Sequence, residues 1–138
     1  MTLDQTLTLP CGTTLPNRLA KAAMTEGLAE PGGRAGERII LLYRRWAEGG
    51  IGLQVTGNIM VDRRYRERPA NIVIDGEQDE SAIQGLKDWA RASQSQGGKI
   101  IGQISHAGRQ SPKAIAPEPV GPSAVAVKLP GGLFGKPR

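Results

Sequence analysis

One cysteine, one histidine and five aromatic side chains are all that 138 residues hold of these types. A lone cysteine excludes an internal disulfide and suits a reducing compartment, so a cytoplasmic location is expected. Cys11 lies in the turn Leu9-Pro10-Cys11-Gly12, without cationic neighbours, and reads as structural. With so little histidine and cysteine, no metal site is expected. No stretch approaches the ~20 apolar residues of a membrane span, and the N-terminus lacks the basic and apolar regions of a signal peptide. Glycine and proline are plentiful, at 19 and 10, but follow no period, which excludes collagen-like and repeat architectures.

What is present suits one globular domain. The chain is long enough to bury a core, yet far short of the roughly 250 residues of a closed (β/α)8 barrel. The net charge is +5. Basic balance can signal nucleic acid, a membrane surface or an anionic ligand. The densest cluster, Arg63-Arg64-Tyr65-Arg66-Glu67-Arg68, is diluted by Glu67 and Asp62 and carries no recognised binding motif. It reads as a solvated loop, with a nucleic-acid patch as the alternative.

Residues 5–15 alternate and then turn at Pro10-Cys11-Gly12, which predicts a short β-hairpin. Arg18 to Met24 is small and apolar apart from Lys21 and reads as a strand. Its end, Ala22-Ala23-Met24-Thr25, is either a place where a ligand nears the backbone or a small-residue strand packed under a helix. Turn residues mark 30–36 as a loop. Glu37 to Glu48 carries Ile39, Leu42, Tyr43 and Trp46 at helical spacing and stops at Gly49-Gly50. Tyr43 and Trp46 are assigned to the core. A strand is expected over 52–56, ending at Gly57-Asn58. A long connection over 59–78 follows, then a helix over 79–96 with Ile83, Leu86, Ala90 and Ser93 on one side and Trp89 beside them.

The stretch Lys99-Ile-Ile-Gly-Gln-Ile-Ser-His-Ala-Gly-Arg109 reads as a buried strand that delivers an amide, the sole imidazole and a guanidinium to its carboxyl end. A core strand with a polar turn is the plainer alternative. After Arg109 six prolines punctuate an extended loop region, 110–138, in which Ser123–Lys128 could form a short exposed strand. Strands alternating with helices imply βαβ units and a parallel sheet.

Three ordered segments resemble the Old Yellow Enzyme family of flavin mononucleotide (FMN) oxidoreductases. These are Leu15-Pro-Asn-Arg-Leu-Ala-Lys-Ala-Ala-Met-Thr25, Gly49-Gly-Ile-Gly-Leu-Gln-Val-Thr-Gly57 and Gly102-Gln-Ile-Ser-His-Ala-Gly-Arg109. Pro122-Ser-Ala124 is similar to the family's following loop. The resemblance covers about residues 5–125. It implies an α/β fold: an N-terminal β-hairpin and about three βα units of a (β/α)8 TIM barrel, with 1–138 the N-terminal part of one FMN-binding domain.

The same resemblance implies roles. Ala22, Ala23, Met24 and Thr25 would lie along the isoalloxazine ring, the Thr25 hydroxyl donating to the carbonyl next to N5. Gly57 would stand near the pyrimidine side. Gln103 would pair with the pyrimidine edge, since a carboxamide offers a donor and an acceptor side by side. Arg109 would be near the site and His106 mainly orienting or structural. NAD(P)H would be the reductant and an alkene conjugated to a carbonyl or nitro group the substrate.

Other family features are missing from these residues. There is no His-x-x-His or His-x-x-Asn pair to polarise the substrate, no counterpart of the phosphate-binding arginine, and no catalytic residue to assign. The expectation is therefore the N-terminal part of an ene-reductase whose activity belongs to the whole barrel, including a C-terminal half not found here. A non-catalytic remnant and a small basic anion- or nucleic-acid-binding domain are the alternatives. No nucleic-acid or membrane partner is expected on the first reading, and homo-oligomer formation is left open.

Overall fold

The computed structural model describes residues 2–138. It begins with an antiparallel hairpin, β1 (Leu7–Thr8) and β2 (Thr14–Leu15), in which Leu7 faces Leu15. Then follow β3 (Ala20–Lys21), α1 (Glu37–Glu48), β4 (Leu53–Met60), β5 (Ile72–Val73), α2 (Glu80–Ser93) and β6 (Lys99–Ser105). A single 3-10 turn at Gly108–Gln110 closes the regular structure.

β4 is the centre of a four-stranded parallel sheet. Leu53 pairs with both Ala20 and Lys99, so β3 and β6 flank β4 on opposite edges. Ile59 pairs with Ile72 and Ile104, which places β5 on the β3 side, beyond the point where β3 ends. The helices cover one face. Ile39, Tyr43 and Ala47 of α1, one turn apart, are buried. With Ile59, Ile72, Trp89, Ala29 and Ala35 they build the core. Tyr43 is its hub, its ring edge-on to Trp46 at 4.8 Å and to Trp89 at 5.0 Å, contacts worth about 0.5–1.5 kcal/mol each. Fully buried Gln54 ties the sheet to the end of α2 by donating to the Ser93 carbonyl at 3.0 Å.

α1 has the expected bounds. It ends where the amides of Gly49 and Gly50 return to the carbonyls of Arg45 and Ala47. α2 starts at Asp79, whose carboxylate accepts from the Ala82 amide at 2.8 Å, satisfying a donor that a helix start would otherwise leave orphaned. Its inner side keeps Leu86, Trp89 and Ser93 as expected and departs from the expected stripe at Ile83. Ala82, Trp89, Ala92 and Ser93 face inward, and Ile83 is exposed. The reason is close approach: a Cβ on Gly85 would lie 2.2 Å from the Ala35 carbonyl oxygen. Small residues therefore take the contact, and Ile83 is turned away.

Other expectations need correction. β3 is two residues long, because the β3–β4 ladder stops at Lys21. β4 does not end at Gly57-Asn58 but bulges there and continues to Met60. The long connection contains β5, since Ile72 and Val73 find β4's free upper edge. No strand forms over Ser123–Lys128. β6 is not buried. It is an edge strand, with Ile101 51% and Ile104 63% exposed, because nothing among the described residues pairs with its second edge. The arginine cluster is folded back on itself: Arg63 grips Asp75 at 2.9 and 3.1 Å, Arg64 grips Asp62, and Arg66 donates to the Arg63 carbonyl.

Candidate functional site

The β3–β4 ladder stops at Lys21, and the β4–β6 ladder is interrupted at a bulge before resuming at Asn58–Gln103; in that stretch side-chain bonds take the place of backbone pairing. Beyond Lys21 the chain of β3 diverges from β4. The carbonyls of Ala22 and Val55 accept instead from the Lys21 ammonium, at 3.0 and 2.8 Å. Further along, the Asn58 amide donates to the Thr25 hydroxyl at 3.3 Å. Across the other edge, the register of β4 and β6 shifts between Val55 and Asn58, so β4 carries one extra residue. Thr56 repairs the ladder, its hydroxyl accepting from the Gln103 amide at 2.8 Å and donating to the Gly57 carbonyl at 2.8 Å. Bulges of this kind bend a strand and re-aim its side chains, often beside active sites.

Residues 56–58 of β4, Gly57 among them, therefore touch Thr25, Gln103 and Met24, all singled out in the sequence. Thr25 is bonded to Asn58. Gln103 Nε2 donates to Asn58 Oδ1, and Asn58 Nδ2 in turn donates to Glu67. Gly57 is packed against the Met24–Glu26 segment. A Cβ there would lie 2.3 Å from the Met24 carbonyl oxygen and 2.8 Å from Thr25 Cα, so only glycine fits this approach. Ala22 and Met24 are exposed, and Ala23 is half-buried. His106 and Arg109 are also exposed and belong to a separate turn. His106 Nδ1 accepts from the Gly108 amide at 3.0 Å and its ring lies 5.4 Å from that of Tyr65, while Ser111 donates to the Arg66 carbonyl. No bond among the described residues joins that turn to Thr25 or Gln103.

Sequence reasoning missed the residues beneath the site. Lys21, Glu26 and Tyr43 form one buried cluster behind Gly57. Lys21 Nζ lies 3.3 Å from Glu26 Oε1, with the two side chains 6% and 8% exposed. The Tyr43 hydroxyl donates to Glu26 at 2.7 Å and accepts from the Gly57 amide at 3.3 Å. Burial pushes the Tyr43 phenol well above its ordinary pKa, and the bond to Glu26 and its charge push it further. It stays a donor at any physiological pH. The available signal was Lys21 itself, a cation in an otherwise small, apolar strand. The partners are 5 and 22 positions away, and no local pattern links them.

Chemically, the exposed rim offers a hydroxyl and a carboxamide. The Thr25 oxygen accepts from Asn58, and its proton is donated to no chain atom among the described residues. Gln103 spends its Nε2 on Asn58, and no described donor reaches its Oε1. That donor set suits the polar edge of a planar heterocycle. A concavity of about 510 Å³ lies elsewhere, between Arg64, Tyr65, Ala116 and Arg138. The rim is the face of an open sheet and is not enclosed.

Parallel strands with helices on one face, and polar groups at their carboxyl ends, define part of an α/β barrel with its ligand side at that rim. Residues 7–132 match the model of the NADH:flavin oxidoreductase / NADH oxidase family, and the chain belongs to that family. The relationship to the Old Yellow Enzymes inferred from the three segments holds. The NADH-dependent flavin oxidoreductase iliE of Hypocrea jecorina (strain QM6a) is 35% identical over 147 residues, covering 96% of this chain and 37% of that protein. The NADH oxidase of Thermoanaerobacter brockii is 35% identical over 118 residues, 83% of this chain and 18% of that one. Among solved structures, a 2-naphthoyl-CoA reductase complex superposes with TM-score 0.86 at 25% identity, over 99% of this chain and 22% of its own. Morphinone reductase superposes with TM-score 0.75 at 26% identity, over 99% and 38%. The chain thus spans little more than a third of the first of these relatives. The family's cofactor is FMN, with NAD(P)H as co-substrate.

Proposed function

We propose that these residues form one side of the flavin site of an FMN-dependent NAD(P)H oxidoreductase that reduces activated alkenes. The supporting observation is the convergence of Thr25 and Gln103 on Thr56 and Asn58 of β4, on either side of Gly57, where the Met24–Thr25 backbone packs too closely for a Cβ. FMN, when bound, supplies the hydride-transfer chemistry. Thr25 would give its unspent hydroxyl proton to the carbonyl beside N5, Gln103 its unspent Oε1 to the pyrimidine edge, and Ala22, Ala23 and Met24 an apolar floor. Gly57 would act indirectly, by letting the Met24–Thr25 backbone come close. Arg109 and His106 would line the approach from the neighbouring turn. The substrate-polarising pair and the phosphate site would come from a C-terminal half of the barrel. The lone exposed cysteine suits a cytoplasmic setting.

The test is made on the complete barrel carrying these residues. Stoichiometric FMN, with NAD(P)H oxidation dependent on an α,β-unsaturated ketone, is the expected result. A complete chain that neither purifies with flavin nor takes it up overturns the reading. The polyanion-binding alternative has less to support it, because Arg63, Arg64 and Arg68 are each matched by a carboxylate.

A further inference from the structure

The buried Lys21–Glu26–Tyr43 cluster is chemically expensive, which makes its purpose worth asking. Desolvating two charges can cost more than their attraction returns, and well-packed apolar residues would often serve stability as well or better. What an apolar trio could not supply is direction. Lys21 Nζ binds the carbonyls of Ala22, just past the end of β3, and Val55 on β4, and it lies 4.8 Å from the centre of the Trp46 ring of α1. Glu26 receives both Lys21 and the Tyr43 hydroxyl, and Tyr43 receives the Gly57 amide. Four segments are thereby pinned around one point. That point lies directly behind the Met24–Thr25 backbone, whose closeness to Gly57 allows no Cβ.

We propose that Lys21, Glu26 and Tyr43 are a positioning unit that clamps the Met24–Glu26 segment to the β4 bulge and thereby sets where the Thr25 hydroxyl points. They touch no ligand and act through Thr25, so the inference rests on the flavin reading above. The cluster replaces the missing β3–β4 ladder with side-chain bonds exactly where the ladder would have closed off the rim.

The experiment uses the complete native chain carrying these residues, in three forms: wild type, Tyr43→Phe, and the double variant Lys21→Met with Glu26→Gln. Tyr43→Phe keeps the ring that packs on Trp46 and Trp89, and the double variant leaves no uncompensated charge. Three quantities are read: the FMN dissociation constant, the reduction potential of bound FMN, and hydrogen exchange at the Asn58 amide, which reports its bond to Thr25. Both variants are expected to unfold cooperatively like the wild type, to bind FMN about tenfold or more weakly, since small misplacements at a site are costly, and to shift the potential. Asn58 should exchange faster although it is hydrogen-bonded to none of the three altered side chains. Folded variants with wild-type affinity, potential and Asn58 exchange overturn the proposal. If the double variant does not fold, Tyr43→Phe decides alone. If the wild type binds no FMN, the flavin reading fails separately; unchanged Asn58 exchange in Tyr43→Phe then overturns the clamp, and faster exchange upholds it.

Discussion

The backbone amide of Asn58 donates to the hydroxyl of Thr25 across 3.3 Å, from one strand to the chain that has just left its neighbour. The bond fixes the Thr25 oxygen by its lone pair and leaves its proton for a ligand. Removing that proton tests the proposed role. In the complete barrel, Thr25→Ala should lower the reduction potential of bound FMN by about 30 mV, the equivalent of one hydrogen bond of about 1.4 kcal/mol to the reduced ring. Photoreduction against a reference dye measures it, and an unchanged potential removes Thr25 from that role.

Two glycines on adjacent strands should respond in opposite ways. A Cβ at Gly57 meets the Met24 carbonyl at 2.3 Å, whereas one at Gly102 meets only Ile59 Cδ1 at 3.4 Å. Gly57→Ala should destabilise by about 1–3 kcal/mol, the usual cost of overpacking. Gly102→Ala should be neutral or stabilise by about 0.5–1 kcal/mol, the strand-interior advantage of alanine over glycine. Urea unfolding of both variants decides the comparison.

Acid should loosen the 62–75 loop late. The Arg64 guanidinium hydrogen-bonded to Asp62 holds its carboxyl down to about 2, and Arg63 lowers Asp75 in the same way. Their native values lie below the unfolded ones, so the stability they contribute is present above the ordinary carboxylate range and is lost as pH falls toward the native values. Carboxyl carbon NMR should show Asp62 titrating near 2 in the folded chain. Arg64→Ala should return it toward the ordinary range.

Residues 1–138 by themselves should purify colourless, with no flavin absorbance in the visible. The rim carries one side of the proposed ring site, and Ile101 and Ile104 of β6 are exposed on an edge strand, a surface that favours self-association over ligand binding. Ile104→Lys should reduce association, as read by sedimentation velocity. Equimolar FMN on the isolated chain would show that residues 1–138 suffice for binding.

Much of the architecture could be read along the chain. The α1 stripe, its Gly49-Gly50 stop, the hairpin turn and the span of β6 are local signals, carried by neighbours within a turn or a strand of each other. Where small residues and glycines decided the packing, local pattern misled. Gly85 drew α2 onto Ala35 and turned Ile83 outward, and Thr56 let β4 pass through a bulge that its sequence reads as an end. β5 is too short to announce itself, and it exists only because β4 has a free edge to receive it.

The sequence by itself determined the hairpin, both helices and three of the four parallel strands in order, the family, and the polar residues near the strand ends, because each is written in a contiguous run. Tertiary structure alone decided that Lys21, Glu26 and Tyr43 would meet behind Gly57, and that Asn58 would join Thr25 to Gln103. Those contacts depend on the register of three parallel strands and on the rotation of α1 above them, and a register is a property of pairs of segments that neither segment carries alone.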